Sequence, residues 1–510
     1  MLQLLRLLLR AFRCLLGGAA VVASMGSAAV SAALPRSAPE DQGVSSAALL
    51  GFVVAADEKI DALHSVMIMR HGHVIAEGWW APYAAAEPHQ LFSLSKSFTS
   101  TAVGLAMADG KLSLDALVLS FFPHEAPAQT SVNLRAMRVR DLLTMSTGHH
   151  LETIQAFDWK SAESLVKTFL ALPVTHKPGT FFVYNTPATY MLSAIVQKVT
   201  GQKVVDYLQP RLFSPLGIAP PMWEESPQGI SLGGFGLNLR TEDIARFGQL
   251  YLQRGQWQGR PLVPSQWIDT ATARWMSNGS NPASDWEQGY GFQFWRCRFG
   301  VIRGDGAHGQ FCLFFPEQDA VVAITAGTRD LQGVLSVVWS YLLPALQGTA
   351  LPRAPMQQAA LQRRLAGLTL RAPAATGVPA TAAAYLGHRY AFPTNAHGIA
   401  AITVAPTDLV VNGFSISLTI EGAEQRLRLV PGEWSRSELT TGPAAGPVAA
   451  SGAWTGPDTL TFDVVRYRTP FAMRYRLTFS GDQLTLSAEP NVGPAAGGLK
   501  SVVGHRRAGL

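Results

Sequence analysis

Beyond residue 32 the sequence holds only two cysteines, Cys297 and Cys312. So few thiols exclude a disulfide-scaffolded fold, and neither sits in a metal-ligand spacing. They lie in two strand-like segments, FQFWRC and QFCLFF. Pairing between them in an oxidising compartment stays open, because it needs a Cα separation that spacing alone does not fix. Charge is scarce as well: Asp, Glu, Lys and Arg make up 15% of the 510 residues, against 47% apolar residues. That is the composition of an ordinary globular chain of two or three domains, not of a disordered one. Lys and Arg form no stripe with interleaved aromatics, so nucleic-acid binding has no support. No internal repeat stands out.

Long apolar runs are missing too, except at the start. MLQLLRLLLRAFR is basic and apolar, CLLGGAAVVASMGSAAVSA is apolar and small, and Val30-Ser31-Ala32 supplies the small-x-small pattern cut by a signal peptidase. Residues 1–32 are therefore expected to be a signal peptide, with a periplasmic or secreted address. An uncleaved anchor is the rival, since the stretch is about long enough to span a bilayer, but its Ala, Gly and Ser content makes it weakly hydrophobic. A lipoprotein would need small residues before Cys14, where Phe12-Arg13 stands. After cleavage no stable membrane span is expected. Removing Arg6, Arg10 and Arg13 lowers the formal charge from +6 to 6 − 3 = +3.

The rest divides by pattern. HSVMIMR and HVIAEGWW flank His71-Gly72 as a hairpin, and His71 and His73 read as turn residues for want of metal-binding partners. Helices are expected over SKSFTSTAVGLAMADG, stopping at Asp109-Gly110, and over TPATYMLSAIVQKVTG, stopping at Gly201. A third, RTEDIARFGQLYLQRG, has Thr241 as its cap and Ile244, Phe247, Leu250 and Tyr251 on one face. Strands follow at YGFQFWRC, GQFCLFF and AVVAITA, then an apolar helix in GVLSVVWSYLLPAL. The pattern is α+β: an antiparallel sheet flanked by helices. These elements fall in a first domain at 36–347; an Ala/Pro-rich linker with one helical piece is expected at 348–382, and short alternating runs such as ISLTI, RLRLV and YRLTF place a small all-β domain at 383–507.

Chemistry is concentrated in LFSLSKSFTS, residues 91–100. With a helix starting near Leu94, Ser93 and Lys96 are three apart and share a face, whereas Ser95 points elsewhere. Ser95, Ser97 and Ser100 then serve helix-start and packing roles. An alcohol is a poor nucleophile at neutral pH and needs a neighbouring base or cation. Lys96 supplies it.

Ser-x-x-Lys is the first motif of the serine β-lactamase-like and penicillin-binding protein family, and the chain resembles that family in four ordered blocks. RDLLTMSTG (140–148) is similar to the helix before the second motif. PGTFFVYNT holds the second motif, Tyr184-Asn185-Thr186. GGFGLNLRTEDIARFGQLYL with YGFQFW resembles the approach to the third motif, and GAHGQFCLFFPEQDAVVAITAG the strand that closes the site. The likeness is strongest to the class C β-lactamase, carboxylesterase and 6-aminohexanoate-dimer hydrolase branch.

The resemblance implies a β-lactamase-like fold with no cofactor or metal. Ser93 would attack a carbonyl, Lys96 would hold the proton network, and Tyr184 would be general base and then general acid, with Asn185 and Thr186 in support. Backbone N–H groups of Ser93 and Gln310 would form the oxyanion hole, each worth about 3 kcal/mol. Gly309 would let the sheet edge approach substrate closely. Two departures bear on substrate. Ala307 and His308 stand where β-lactam-active members carry a cation that grips a carboxylate, so that grip is weakened unless His308 swings in, and Thr186 replaces an amide. Both favour a small-molecule ester, or a short amide, over a β-lactam. The alternatives are a β-lactamase or D-aminopeptidase-type amidohydrolase, and a catalytically weak binding or sensor protein on the same fold. His149 and His150 read as rim residues; Glu77 and Trp79-Trp80 either line the cleft or pack in the core.

Overall fold

The computed structural model describes residues 33–346, 348–407, 413–442, 444–493 and 498–507. The signal peptide expected over 1–32 lies outside the described residues. Among these, no helix is long and apolar enough to cross a membrane.

The first part is built on a six-stranded antiparallel sheet. Its strands are β1 (Leu63–Arg70), β2 (His73–Trp79), β3 (Trp295–Arg296), β4 (Ile302–Gly306), β5 (Gln310–Phe315) and β6 (Ala320–Ala326), in the order β2-β1-β6-β5-β4-β3. The expected hairpin turns at His71-Gly72, both with positive φ. Successive side chains of a strand point to opposite faces, and both faces here are covered. Met67, Met69, Cys312, Phe314, Val321 and Ala323 enter one core; Val66, Ile68, Phe311, Leu313, Val322 and Ile324 enter the other. This two-sided burial explains why the strands read as unbroken apolar runs.

The second core is closed by α1 (Ser46–Lys59) and α5 (Leu331–Val337). The first core holds α2 (Ser95–Ala108), α3 (Thr186–Thr200) and α4 (Thr241–Leu252). Helices α2 and α3 end at Asp109 and at a left-handed Gly201, as their sequences require. Ile244, Phe247, Leu250 and Tyr251 of α4 are all buried. Its cap differs from expectation: Asp243 accepts from the Arg240 backbone N–H at 3.2 Å, while the Thr241 hydroxyl bonds Ser65 at 2.7 Å inside the core.

One further expectation is revised, and the open question of the cysteines is answered. YGFQFWRC is a strand only at Trp295–Arg296. Gln293 has a positive φ of 67°, and its side-chain amide donates to the carbonyls of Leu142 and Leu143, so satisfying a helix end interrupts the strand. The cysteines are both free and buried. Cys297 belongs to one core and Cys312 to the other, so the sheet itself keeps them apart.

The stretch expected as a linker carries α6 (Pro355–Ala366), which packs on the first part: Leu361 and Leu368 are buried in the second core, and Arg364 pairs with Asp57. Beyond it, ten antiparallel strands from Arg389–Ala391 to Leu499–Arg506 form a separate barrel-like β domain with its own core around Ile402, Ile416, Trp454, Phe462 and Phe479.

Candidate active site

Ser93 sits in a one-turn 3-10 segment, Phe92–Leu94, that runs into α2. Almost all of α2 is buried, which is unusual for a helix so rich in hydroxyls. The hydroxyls are there to hold irregular backbone: Ser97 donates to the Gln293 carbonyl, Ser100 to that of Phe292 and Thr99 to that of Gly233, at 3.0, 2.7 and 2.9 Å. Ser95 accepts from the Leu237 N–H at 3.2 Å. Each is committed to structure, and Ser93 alone faces the lysine.

Lys96 is 1% exposed. Its Nζ donates to Ser93 Oγ at 2.8 Å, to the Gly234 carbonyl at 2.9 Å and to Thr186 Oγ1 at 3.3 Å. Among the described residues no carboxylate is paired with it. Burial penalises the ammonium and pushes its pKa down to about 7, with the charges of Glu152 and Asp305 acting weakly the other way.

Tyr184 leads into α3, with Lys96 Nζ 4.9 Å from its ring centroid and Ser93 near enough to favour its phenolate slightly. The ring stacks on Trp295 with centroids 5.3 Å apart. Behind Trp295 lies Arg303, fully buried, 5.1 Å from one tryptophan ring and 4.3 Å from Trp286, and paired with Asp305 at 2.9 Å. Burial, then the negative charge of Asp305, hold the Tyr184 proton on well above the ordinary tyrosine range. Asn185 accepts from Thr153 at 2.8 Å, and the Thr186 N–H donates to Glu152 at 3.3 Å.

The closing edge is where placement departs most from the motif reading. The strand facing Ser93 is β4. A Cβ on Gly304 would meet Leu94 at 2.5 Å, and one on Gly306 would meet the Leu91 carbonyl oxygen at 2.0 Å; these two glycines, not Gly309, allow the close approach. A Cβ on Gly309 would instead meet Ala326. Gln310 is one strand further in: it pairs with Gly306, and its amide donates to the carbonyls of Ala307 and Ala326 at 3.0 and 2.8 Å. The Gly306 carbonyl accepts from the Gly309 N–H at 3.3 Å within the turn, so the trans peptide points the Ala307 N–H outward from the sheet edge. His308 has not swung in as a cation. Burial and Arg329 lower its pKa, and its ring packs against Phe92 and Phe471.

Of the remaining histidines, His150 is exposed, but His149 is buried beside Thr147 at 2.8 Å, a core residue and not a rim one. Glu77 pairs with Arg36 at 3.0 Å, and Trp80 is core. No three His, Cys, Asp or Glu side chains among the described residues are grouped as a metal would require.

A family model described as Beta-lactamase matches residues 56–335, just over half of the chain and the whole of this constellation. The chain belongs to the β-lactamase family. Relatives of this β-lactamase-family protein include the 6-aminohexanoate-dimer hydrolase of Paenarthrobacter ureafaciens, 25% identical over 52% of this chain and 72% of that protein. Penicillin-binding protein 4 of Amycolatopsis lactamdurans is 24% identical over 51% of this chain and 77% of its own. Lovastatin esterase of Penicillium rubens is 27% identical over a shorter stretch, 25% of this chain and 37% of that enzyme.

Residues missing from the motif reading are Gly234, Glu152, Trp295, Gly304 and Gly306. Only the glycine pair left a trace, since two glycines two apart within a strand mark close approach of another backbone.

Proposed function

We infer that the protein is a serine hydrolase that forms an acyl-enzyme on Ser93 and cleaves an ester, or a short amide, of a small molecule. The observation that carries this is Lys96 Nζ at 2.8 Å from Ser93 Oγ in surroundings that lower its pKa to about 7. Near neutrality a large fraction of Lys96 is then a free amine. It takes the Ser93 proton as Oγ attacks the carbonyl carbon, and the positive charge it gains stays within reach of the Gly234 carbonyl and Thr186. Tyr184 keeps its proton at rest and acts as neutral donor to the leaving oxygen or nitrogen, regaining a proton through Lys96. The general base is thus Lys96, with Tyr184 in the later, acid role. The oxyanion is held by the N–H groups of Ser93 and Ala307, the latter replacing Gln310, which braces the turn from behind. Water then attacks the acyl-enzyme by the same route in reverse.

A weakened carboxylate grip supports an ester or amide without an anionic tail: burial lowers the His308 pKa and its ring packs against two aromatic rings, and Glu152 lies beside Thr186. A periplasmic or secreted location fits the leader. Incubation with a fluorophosphonate probe tests the reading: the wild type labels and Ser93→Ala does not. Equal labelling of both would remove Ser93 as nucleophile, and binding without turnover of any aryl ester would favour a sensor role.

A further inference from the structure

The β domain contributes directly to the surroundings of Ser93. Between its strands Thr459–Val465 and Ala472–Ser480 runs a tight loop, closed by the Arg466 N–H on the Phe471 carbonyl at 3.0 Å and by Thr469 N–H on the Arg466 carbonyl at 2.8 Å. The Phe471 ring at its end meets Phe92, the residue before Ser93, with centroids 6.0 Å apart, and His308 at 5.8 Å. Phe92 and His308 are themselves 5.2 Å apart, edge to face. All three residues are partly buried and keep some exposed surface, so the cluster ends at the surface and is not a closed core.

The cluster is held in place from several directions. The Gln90 N–H donates to the Arg468 carbonyl at 2.9 Å, Tyr83 to that of Thr469 at 2.9 Å, and Asn491 to that of Pro470 at 2.9 Å. Phe92 has φ 50° and His308 φ 68°, a left-handed conformation that aromatic side chains adopt only when their surroundings impose it. A site wall is built here at a conformational cost, which argues for function over filler.

Direction along the sheet edge decides what the wall contacts. Trp295, and Tyr184 stacked on it, lie at the Arg303 end of β4, because Trp295 pairs with Arg303. His308 follows the other end, Gly306. The proton donor for the leaving group is therefore at one end of the edge and the aromatic cluster at the other.

We propose that Phe92, His308 and Phe471 form the pocket for the acyl group, and that Phe471, supplied by the β domain, makes this hydrolase select substrates with an apolar, preferably aromatic or branched, acyl group. The inference rests on the acyl-enzyme reading above and adds the substrate class. Aromatic rings at such contacts favour edge-to-face partners, and a pocket contact of this kind shifts selectivity about tenfold or more.

The test uses the full-length protein and the ratio of kcat/KM for p-nitrophenyl phenylacetate over p-nitrophenyl acetate. Phe471→Ala is expected to lower that ratio about tenfold, mostly through KM for the phenylacetate, at a thermal midpoint close to wild type. Phe471→Trp, which fills the pocket, is expected to turn selectivity toward acetate and covers the case in which the alanine variant does not fold. Varying the alcohol at a fixed acetyl group should leave both variants parallel to wild type. A folded variant with an unchanged acyl ratio, or a change confined to the alcohol series, overturns the pocket assignment while leaving Ser93 chemistry standing. Failure of the wild type to label at Ser93 overturns the underlying reading and this one with it.

Discussion

Acidifying the protein should switch off acylation at a pH set by Lys96. An unperturbed lysine titrates at 10.5, and burial brings Lys96 down to about 7; at about 1.4 kcal/mol per unit, the site prefers the neutral amine by about 5 kcal/mol. At pH 7 about half of the molecules then carry a free base, against roughly one in three thousand for a lysine in water. The assay is kcat/KM for p-nitrophenyl butyrate between pH 5 and 10. It should fall about tenfold per unit below pH 7, since only the neutral amine accepts the Ser93 proton, and level off above it. Glu152→Gln removes a charge that opposes the shift, so the midpoint should move to lower pH. Lys96→Arg fixes a guanidinium that does not release its proton, and turnover should fall by about a thousandfold or more. A rate that keeps rising with unit slope from pH 8 to 10 would refute the argument, because the base would then be an ordinary lysine or the Tyr184 phenolate.

Tyr184→Phe should retain fluorophosphonate labelling while slowing ester turnover by about a hundredfold or more, the usual size of a lost general acid; stopped-flow burst amplitudes separate the two steps. Gly306→Ala places a methyl 2.0 Å from the Leu91 oxygen, so the Ser93 turn must shift, and labelling should slow at least as much as the thermal midpoint falls. Arg303→Met leaves Asp305 buried without its 2.9 Å partner and should cost about 3–5 kcal/mol by urea unfolding. A neutral result there would mean that water reaches Asp305.

The meeting of Ser93 and Lys96 was legible because residues three apart in a helical turn share one face whatever else surrounds them, whereas Tyr184, far along the chain, was suggested only by the family resemblance. Sheet strands and helix ends were legible for the same local reason, in β5, β6 and the left-handed Gly201. Register was not. The close-approach glycine lies one strand nearer the edge, at Gly306 and not Gly309, and the oxyanion donor we propose moves with it from Gln310 to Ala307, because nothing in a linear pattern says which strand lies at the edge. Gln293 shows a related limit: its left-handed backbone is imposed by carbonyls about 150 positions earlier in the chain. His149 misled because a histidine after a turn looks the same whether its neighbours are solvent or the ring of Phe169.

The loop from Arg466 to Phe471 has one more consequence. It is fastened at its carbonyls, by Gln90, Tyr83 and Asn491, so its side chains can be exchanged without undoing those fastenings. On the acyl-pocket reading proposed above, diversity introduced at Phe471 alters which molecules are accepted without touching Ser93 or Lys96, and laboratory evolution of this protein would be better aimed at the second domain than at the first.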